Sequence, residues 1–175
     1  MKLIAWPVRF SFLCLTLGLT AVSTHGQTPA APPAPAPAAA APAPVLDYGD
    51  YTSATLTGKA WGALQSKNYP AVMGYTNKCI DMFKAQAIQM QGTLKAPAPK
   101  EKANDYWALN DVGTCYFIKG KALDDQGDKK GAIAAYKFLA DNLSYAQCWD
   151  PKGWFWAPAD GARKRVAELS FDAAQ

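Results

Sequence analysis

The chain has 175 residues, with 18 basic and 14 acidic side chains, four cysteines and one histidine, His25. Met1–Gly26 reads as a secretory signal peptide; without it 16 basic side chains stand against 14 acidic ones, a charge of +2, too near neutral to indicate a nucleic-acid partner. Loss of His25 also removes any Ser-His or Cys-His nucleophile pair, any HExxH zinc site and any imidazole acid or base.

Lys2 and Arg9 precede an apolar run, FSFLCLTLGLTAV, from Phe10 to Val22. That run is too short to span the membrane as a helix, which takes roughly 20 residues, and the small or polar stretch Ser23-Thr24-His25-Gly26 follows it, as at a signal-peptidase site. Cleavage after Gly26 is favoured over cleavage after Ser23 and puts the mature start at Gln27. Cys14 has no lipobox before it, so no lipid is expected there, and contact with the membrane would run only through an uncleaved signal peptide. Residues 27–46 form a disordered spacer. Its stretch TPAAPPAPAPAAAAPAP (Thr28–Pro44) holds seven prolines in seventeen residues, which favours extended polyproline backbone of about 3 Å per residue and offers no core. Such a leash fits a periplasmic or secreted protein.

Residues 47–175 are enough for one helical domain. No alternating strand pattern stands out, and apolar residues recur at helical spacing. A first helix is predicted from about Ser53 to Ser66, with Leu56, Ala60, Ala63 and Leu64 inward and Trp61 on another side. Lys67-Asn68-Tyr69 turns the chain, and Pro70 opens a long second helix to about Met90, with Val72, Thr76, Cys79, Phe83, Ala87 and Met90 in step. Pro97 and Pro99 make Leu94–Lys100 a loop. A third helix starts at an Asn104 or Asp105 cap and runs to Asp125, burying Leu109, Val112, Tyr116, Gly120 and Leu123. After the turn Gln126-Gly127-Asp128, a fourth helix spans Lys129–Asn142 with Ala132, Ile133, Tyr136, Leu139 and Leu143 inward. Tyr145–Pro158 is an irregular, aromatic-rich segment. A last helix, Ala159–Leu169, turns Ala162, Val166 and Leu169 inward and leaves Arg163, Lys164 and Arg165 in water. The expected architecture is all-α, about five helices in antiparallel succession.

Tyr116–Ser144 resembles a tetratricopeptide repeat. Tyr116 takes the opening aromatic position, Gly120 the small one and Leu123 the second aromatic position; the Gly127-Asp128 turn, Ala132 and Tyr136 follow. Lys119, Leu139 and Ser144 depart from the pattern. Lys67-Asn68-Tyr69, with Ala60 before it and Val72, Thr76 and Cys79 after it, resembles a more divergent upstream copy. Ala60 then matches Gly120, a wider separation than the period of about 34 residues in a tandem array. The segments ATLTGKAW, YTNKCIDMF, DYWALNDVGTCYFIKGKAL and YAQCWDPKGWFW are also similar to a family of small exported bacterial tetratricopeptide-like proteins, some labelled beta-glucanase precursors. The resemblance implies a right-handed superhelix of helix pairs with a C-terminal capping helix, acting as a scaffold for another exported or envelope protein. It also implies a peptide groove lined from the first helix of each pair, at Thr57, Trp61, Phe117, Lys121 and Asp124. For Trp61 and Phe117 a plain core role stays open.

A glucanase role is not expected. Glycoside hydrolysis needs two flanking carboxylates, and the mature chain has two glutamates, Glu101 in the proline loop and Glu168 in the last helix. Asp105, Asp124, Asp125 and Asp128 sit where caps and turns want them; Asp111 and Asp150 are less easily dismissed. No phosphate loop, CxxC or calcium loop is present, so neither cofactor nor metal is expected. Cys79, Cys115 and Cys148 are expected as free thiols; should one bridge form, Cys148 is the expected participant, because a loop can adjust. The densest aromatic stretch is Trp149, Trp154, Phe155 and Trp156, and Asp150-Pro151-Lys152-Gly153 reads as a β-turn returning Trp149 towards Trp154. Either this knot plugs the helix stack, with Trp154 and Phe155 in the core, or it exposes Trp149 or Trp156 as a platform for stacking a glycan.

Overall fold

A computed structural model describes residues 45–172. The signal peptide (1–26) and nearly all of the spacer (27–46) therefore lie outside the described residues. The described part is all-α but for one small hairpin. Its helices are α1 (Ser53–Gln65), α2 (Tyr69–Gly92), α3 (Trp107–Asp125), α4 (Lys129–Asn142) and α5 (Pro158–Asp172), with strands β1 (Cys148–Asp150) and β2 (Trp154–Trp156) between α4 and α5.

Leu46, grouped by composition with the spacer, packs back onto α2. A Cβ at Gly74 would come within 2.1 Å of its Cδ1, so this glycine makes room for the incoming chain. Thr52 caps α1, its hydroxyl accepting from the Thr55 N–H at 3.2 Å and satisfying an otherwise orphan donor.

α1 and α2 join at Ser66-Lys67-Asn68, and α3 and α4 at Gln126-Gly127-Asp128. The two turns share one hydrogen-bond pattern. Asn68 N–H donates to Ala63 O and Asp128 N–H to Leu123 O, both at 2.9 Å, and each turn adds four further matched backbone bonds. Lys67 and Gly127 both take positive φ, +55° and +81°, and the Asn68 and Asp128 side chains each cap the helix that follows.

α3 is the central element. It packs on α1, α2, α4, α5 and the hairpin, while α1 also packs on α2, and α4 on α5. Leu109, Val112, Cys115 and Ile118 of α3 are fully buried, as are Leu56, Val72, Leu139, Leu143 and Leu169 around them. Full burial of such aliphatic side chains contributes roughly 1.5–3 kcal/mol each. Phe83, Met90, Leu123, Ile133 and Val166 pack against this core but are only half-buried. At Gly120 the backbone comes so close to Tyr136 that a Cβ would meet its ring at 2.6 to 2.9 Å. The small residue in this position is a packing requirement.

Three sequence expectations are corrected. Asn104 and Asp105 do not cap α3; they lie in a 3-10 segment, Lys100–Tyr106, that leads straight into Trp107. The Asn110 amide donates to Ala103 O at 2.7 Å, tying that segment to the helix. The aromatic stretch is not irregular, since it contains the antiparallel hairpin with Trp149 opposite Phe155 and Asp150 opposite Trp154. Arg165 is not simply in water, because its guanidinium holds Asp124 through two bonds of 2.5 and 2.9 Å.

Candidate functional site: an aromatic cleft between α1, α3 and the hairpin

The hairpin is held in place from below. Gln91 accepts from the Tyr145 N–H at 3.0 Å and donates to the Ser144 hydroxyl. Asn110 Oδ1 accepts from the Gln147 N–H at 2.8 Å, and the Gln147 amide reaches Ala98 O at the same distance. Ala146 sits against Gly113, where a Cβ would approach to 2.5 Å. These contacts aim residues 148–156 back across α1 and α3. The expected β-turn closes the hairpin: Gly153 N–H donates to Asp150 O at 2.9 Å with Gly153 at φ +105°, and Asp150 Oδ1 accepts from the Lys152 N–H.

Between the hairpin and the two helices lies a cleft of about 430 Å³. Thr57 and Trp61 of α1 form one wall, Trp107, Asn110, Asp111 and Thr114 of α3 another, and Cys148, Trp149 and Phe155 of the hairpin the third. Trp149 and Phe155 stand edge to face at 5.0 Å between ring centroids, and the Lys100 ammonium lies 5.8 Å from the Trp149 ring. Beyond Trp107 a second, more apolar cleft opens, lined by Tyr51, Met82, Phe83, Trp107 and again Asp111. Phe83 braces Trp107 edge-on at 5.6 Å.

Asp111 lies where the two clefts meet. Its Oδ2 accepts from the Ser53 hydroxyl, and it has no ion-pair partner among the described residues. Burial raises its pKa above the ordinary carboxyl value, and the Ser53 bond offsets only part of that rise. Asp150 is committed to its turn. Burial likewise pushes the Cys115 and Cys148 thiols up, which keeps them neutral and weakly nucleophilic. Cys79 and Cys115, both buried, meet beside Thr57, whose hydroxyl is 4.0 and 3.3 Å from the two sulfurs. All three described cysteines are free. The pair that the fold brings together excludes Cys148. No group of three histidine, cysteine or acidic side chains among the described residues could hold a metal ion.

The five groove residues divide between two places. Thr57 and Trp61 belong to the aromatic cleft, whereas Phe117, Lys121 and Asp124 line a separate one between α3 and α5 with Tyr136, Lys164, Arg165 and Glu168. The hairpin lies between them: Trp156 packs edge-on against Phe117 at 5.1 Å and faces Trp61 across a further recess of about 440 Å³. The four aromatic-patch residues divide too. Phe155 and Trp156 are half-buried, whereas Trp149 and Trp154 are 50 % and 48 % exposed. Trp154 is therefore not a core residue; it stands at the turn end of the hairpin, opposite Asp150. Sequence reasoning missed Trp107. The available signal was its position one helical turn before Asp111, which puts both on one face of α3.

No protein-family model, curated protein or solved structure matches the chain. Among the described residues, no helix is long and apolar enough to cross a membrane.

Proposed function

We propose that the protein is a non-enzymatic interaction domain that binds a segment of another exported or envelope protein in the cleft between α1, α3 and the hairpin. The observation that carries this reading is the cleft itself: three tryptophans, Trp61, Trp107 and Trp149, converge with Asp111 and the Asn110 amide around open space, the mix of aromatic anchors and few polar groups that recognition sites use. Support for a tetratricopeptide-like arrangement comes from the two matched turns, centred on Lys67 and Gly127, and from the contacts of α3 with both α1 and α5. On this reading the molecule is a divergent superhelix of two helix pairs with α5 as its cap, reached through a signal peptide and a proline-rich leash in the periplasm or cell envelope. Neutral cysteines and an unpaired Asp111 offer no activated nucleophile. The test is selection from a displayed random-peptide library, repeated with Trp149→Ala. Enriched peptides that fail to bind the variant support the reading, and the absence of any enriched peptide overturns it.

Carbohydrate binding is the second reading, favoured by the outward faces of Trp149 and Trp154. A glycan array distinguishes it, since binding lost in Trp149→Ala and Trp154→Ala would move the function from polypeptide to sugar.

A further inference from the structure

Asp111 is the one acidic side chain at the junction of the two clefts, and the fold gives it little compensation. Ser53 supplies its single hydrogen bond among the described residues. Lys100 lies over the Trp149 ring and forms no ion pair with Asp111. Removing a carboxylate from water without a counter-charge is unfavourable, so such groups are normally paired. The surroundings suit a cation. Trp107 borders both clefts, with Trp61 and Trp149 across one and Tyr51 across the other. Indole and phenol faces attract ammonium and guanidinium groups, while Met82 and Phe83 offer apolar surface for an aliphatic stem or a neighbouring residue.

We infer that Asp111, with Trp107 beside it, receives a lysine or arginine side chain of the polypeptide that binds in this cleft. The inference rests on the proposed interaction function and specifies what its partner must carry. The charge supplies the complementarity: a cation placed here forms the ion pair that the protein itself leaves unmade, at a half-buried carboxylate flanked by aromatic walls. An acidic or apolar side chain in the same place would leave the carboxylate uncompensated, and the site would discriminate against it.

The protein and its Asp111→Asn variant are each used to select from the same random-peptide library, and the two are titrated with acetyl-lysine amide, acetyl-arginine amide and the uncharged acetyl-norleucine amide while amide resonances of residues 107–114 are followed. Asparagine keeps the size and the acceptor for Ser53, so the fold should persist, and circular dichroism checks that it does. Trp107→Leu is a second variant that leaves the carboxylate in place. Peptides enriched on the parent should carry a lysine or arginine at one fixed position, lose about tenfold or more in affinity for Asp111→Asn, about what one charge-assisted bond contributes, and bind Trp107→Leu more weakly too. The amide probes should show saturable shifts for the two cations that norleucine does not reproduce. Enriched peptides without a fixed basic residue, or equal binding by Asp111→Asn, would overturn the cation site while leaving the interaction domain standing. Failure to enrich any peptide would remove the interaction reading, and the cation site with it.

Discussion

The two helix pairs turn identically and pack differently. Ser66-Lys67-Asn68 and Gln126-Gly127-Asp128 share hydrogen bonds, caps and a central residue at positive φ, yet one centre is a lysine and the other a glycine. Within the pairs the contrast runs the other way. Buried Ala60 and Thr76 hold in the first pair the positions of Gly120 and Tyr136 in the second, and the ring of Tyr136 fills the space a Cβ on Gly120 would need. The turn shape therefore follows from helix ends whose backbone groups must be satisfied, while residue identity decides which partner carries the volume and where strain is tolerated.

Breaking the second pair should have the largest effects. Asn110 corresponds to Asp50, which precedes α1, so the Asn110 clamp belongs to the second pair alone. Asn110→Ala leaves Ala103 O and the Gln147 N–H without their partner, and urea unfolding should show a loss of about 3 kcal/mol. Gly120→Ala should lose about 2 kcal/mol by overpacking against Tyr136, whereas Ala60→Gly in the first pair should lose about 1–2 kcal/mol for a different reason, backbone entropy and one buried methyl.

The turns should respond with opposite signs. Gly127→Ala puts a Cβ into left-handed backbone and should destabilise by about 1–2 kcal/mol. Lys67→Gly relieves the same strain and should stabilise by up to about 1 kcal/mol, less what the freer unfolded chain takes back. Thermal melts of the two variants check this; a change of the same sign in both would mean that the turns are not equivalent.

The legible parts of the sequence were those where local rules and packing agree. α4 starts at Lys129 because Asp128 caps it, and Ala132, Tyr136 and Leu139 keep its inward rhythm up to the buried Leu143 at its end. The offset between the two pairs could be read from Ala60 and the Lys67-Asn68-Tyr69 turn, which stand 60 residues before Gly120 and the Gly127-Asp128 turn. The 3-10 segment was not legible, because Asn104 and Asp105 are good caps in isolation and the bond from the Asn110 side chain to Ala103 O that ties the segment to α3 depends on the folded geometry. The Asp150–Gly153 turn was legible but its strands were not, since such short strands carry too little alternation. The candidate site was visible as pieces. Thr57, Trp61, Trp149 and Phe155 meet there, but Trp107 was not singled out, and Phe117, Lys121 and Asp124 were cut off by a hairpin whose path depends on Gln91 and Asn110.

The smallest predicted effect is on pH dependence. Burial holds the Asp111 carboxyl above its ordinary value of 3.8. The folded protein therefore keeps this proton where the unfolded chain has lost it, and stability falls as pH rises from 3.8 through the raised value. Asp111→Asn removes that dependence. It should melt slightly higher than the parent at pH 7, with the gap closing as pH falls below the ordinary carboxyl value. A variant less stable than the parent at pH 7 would make Asp111 a structural residue, not a reserved binding group.

The placement of the tryptophans has an optical consequence. All five described indoles lie on the hairpin or within the clefts it borders, at Trp61, Trp107, Trp149, Trp154 and Trp156, while far-ultraviolet dichroism comes almost wholly from the five helices. Intrinsic fluorescence and dichroism thus watch different parts of one molecule. Coincident transitions would show that the hairpin and the helix stack melt as one unit, and an earlier fluorescence change would show the hairpin lifting while the helices remain.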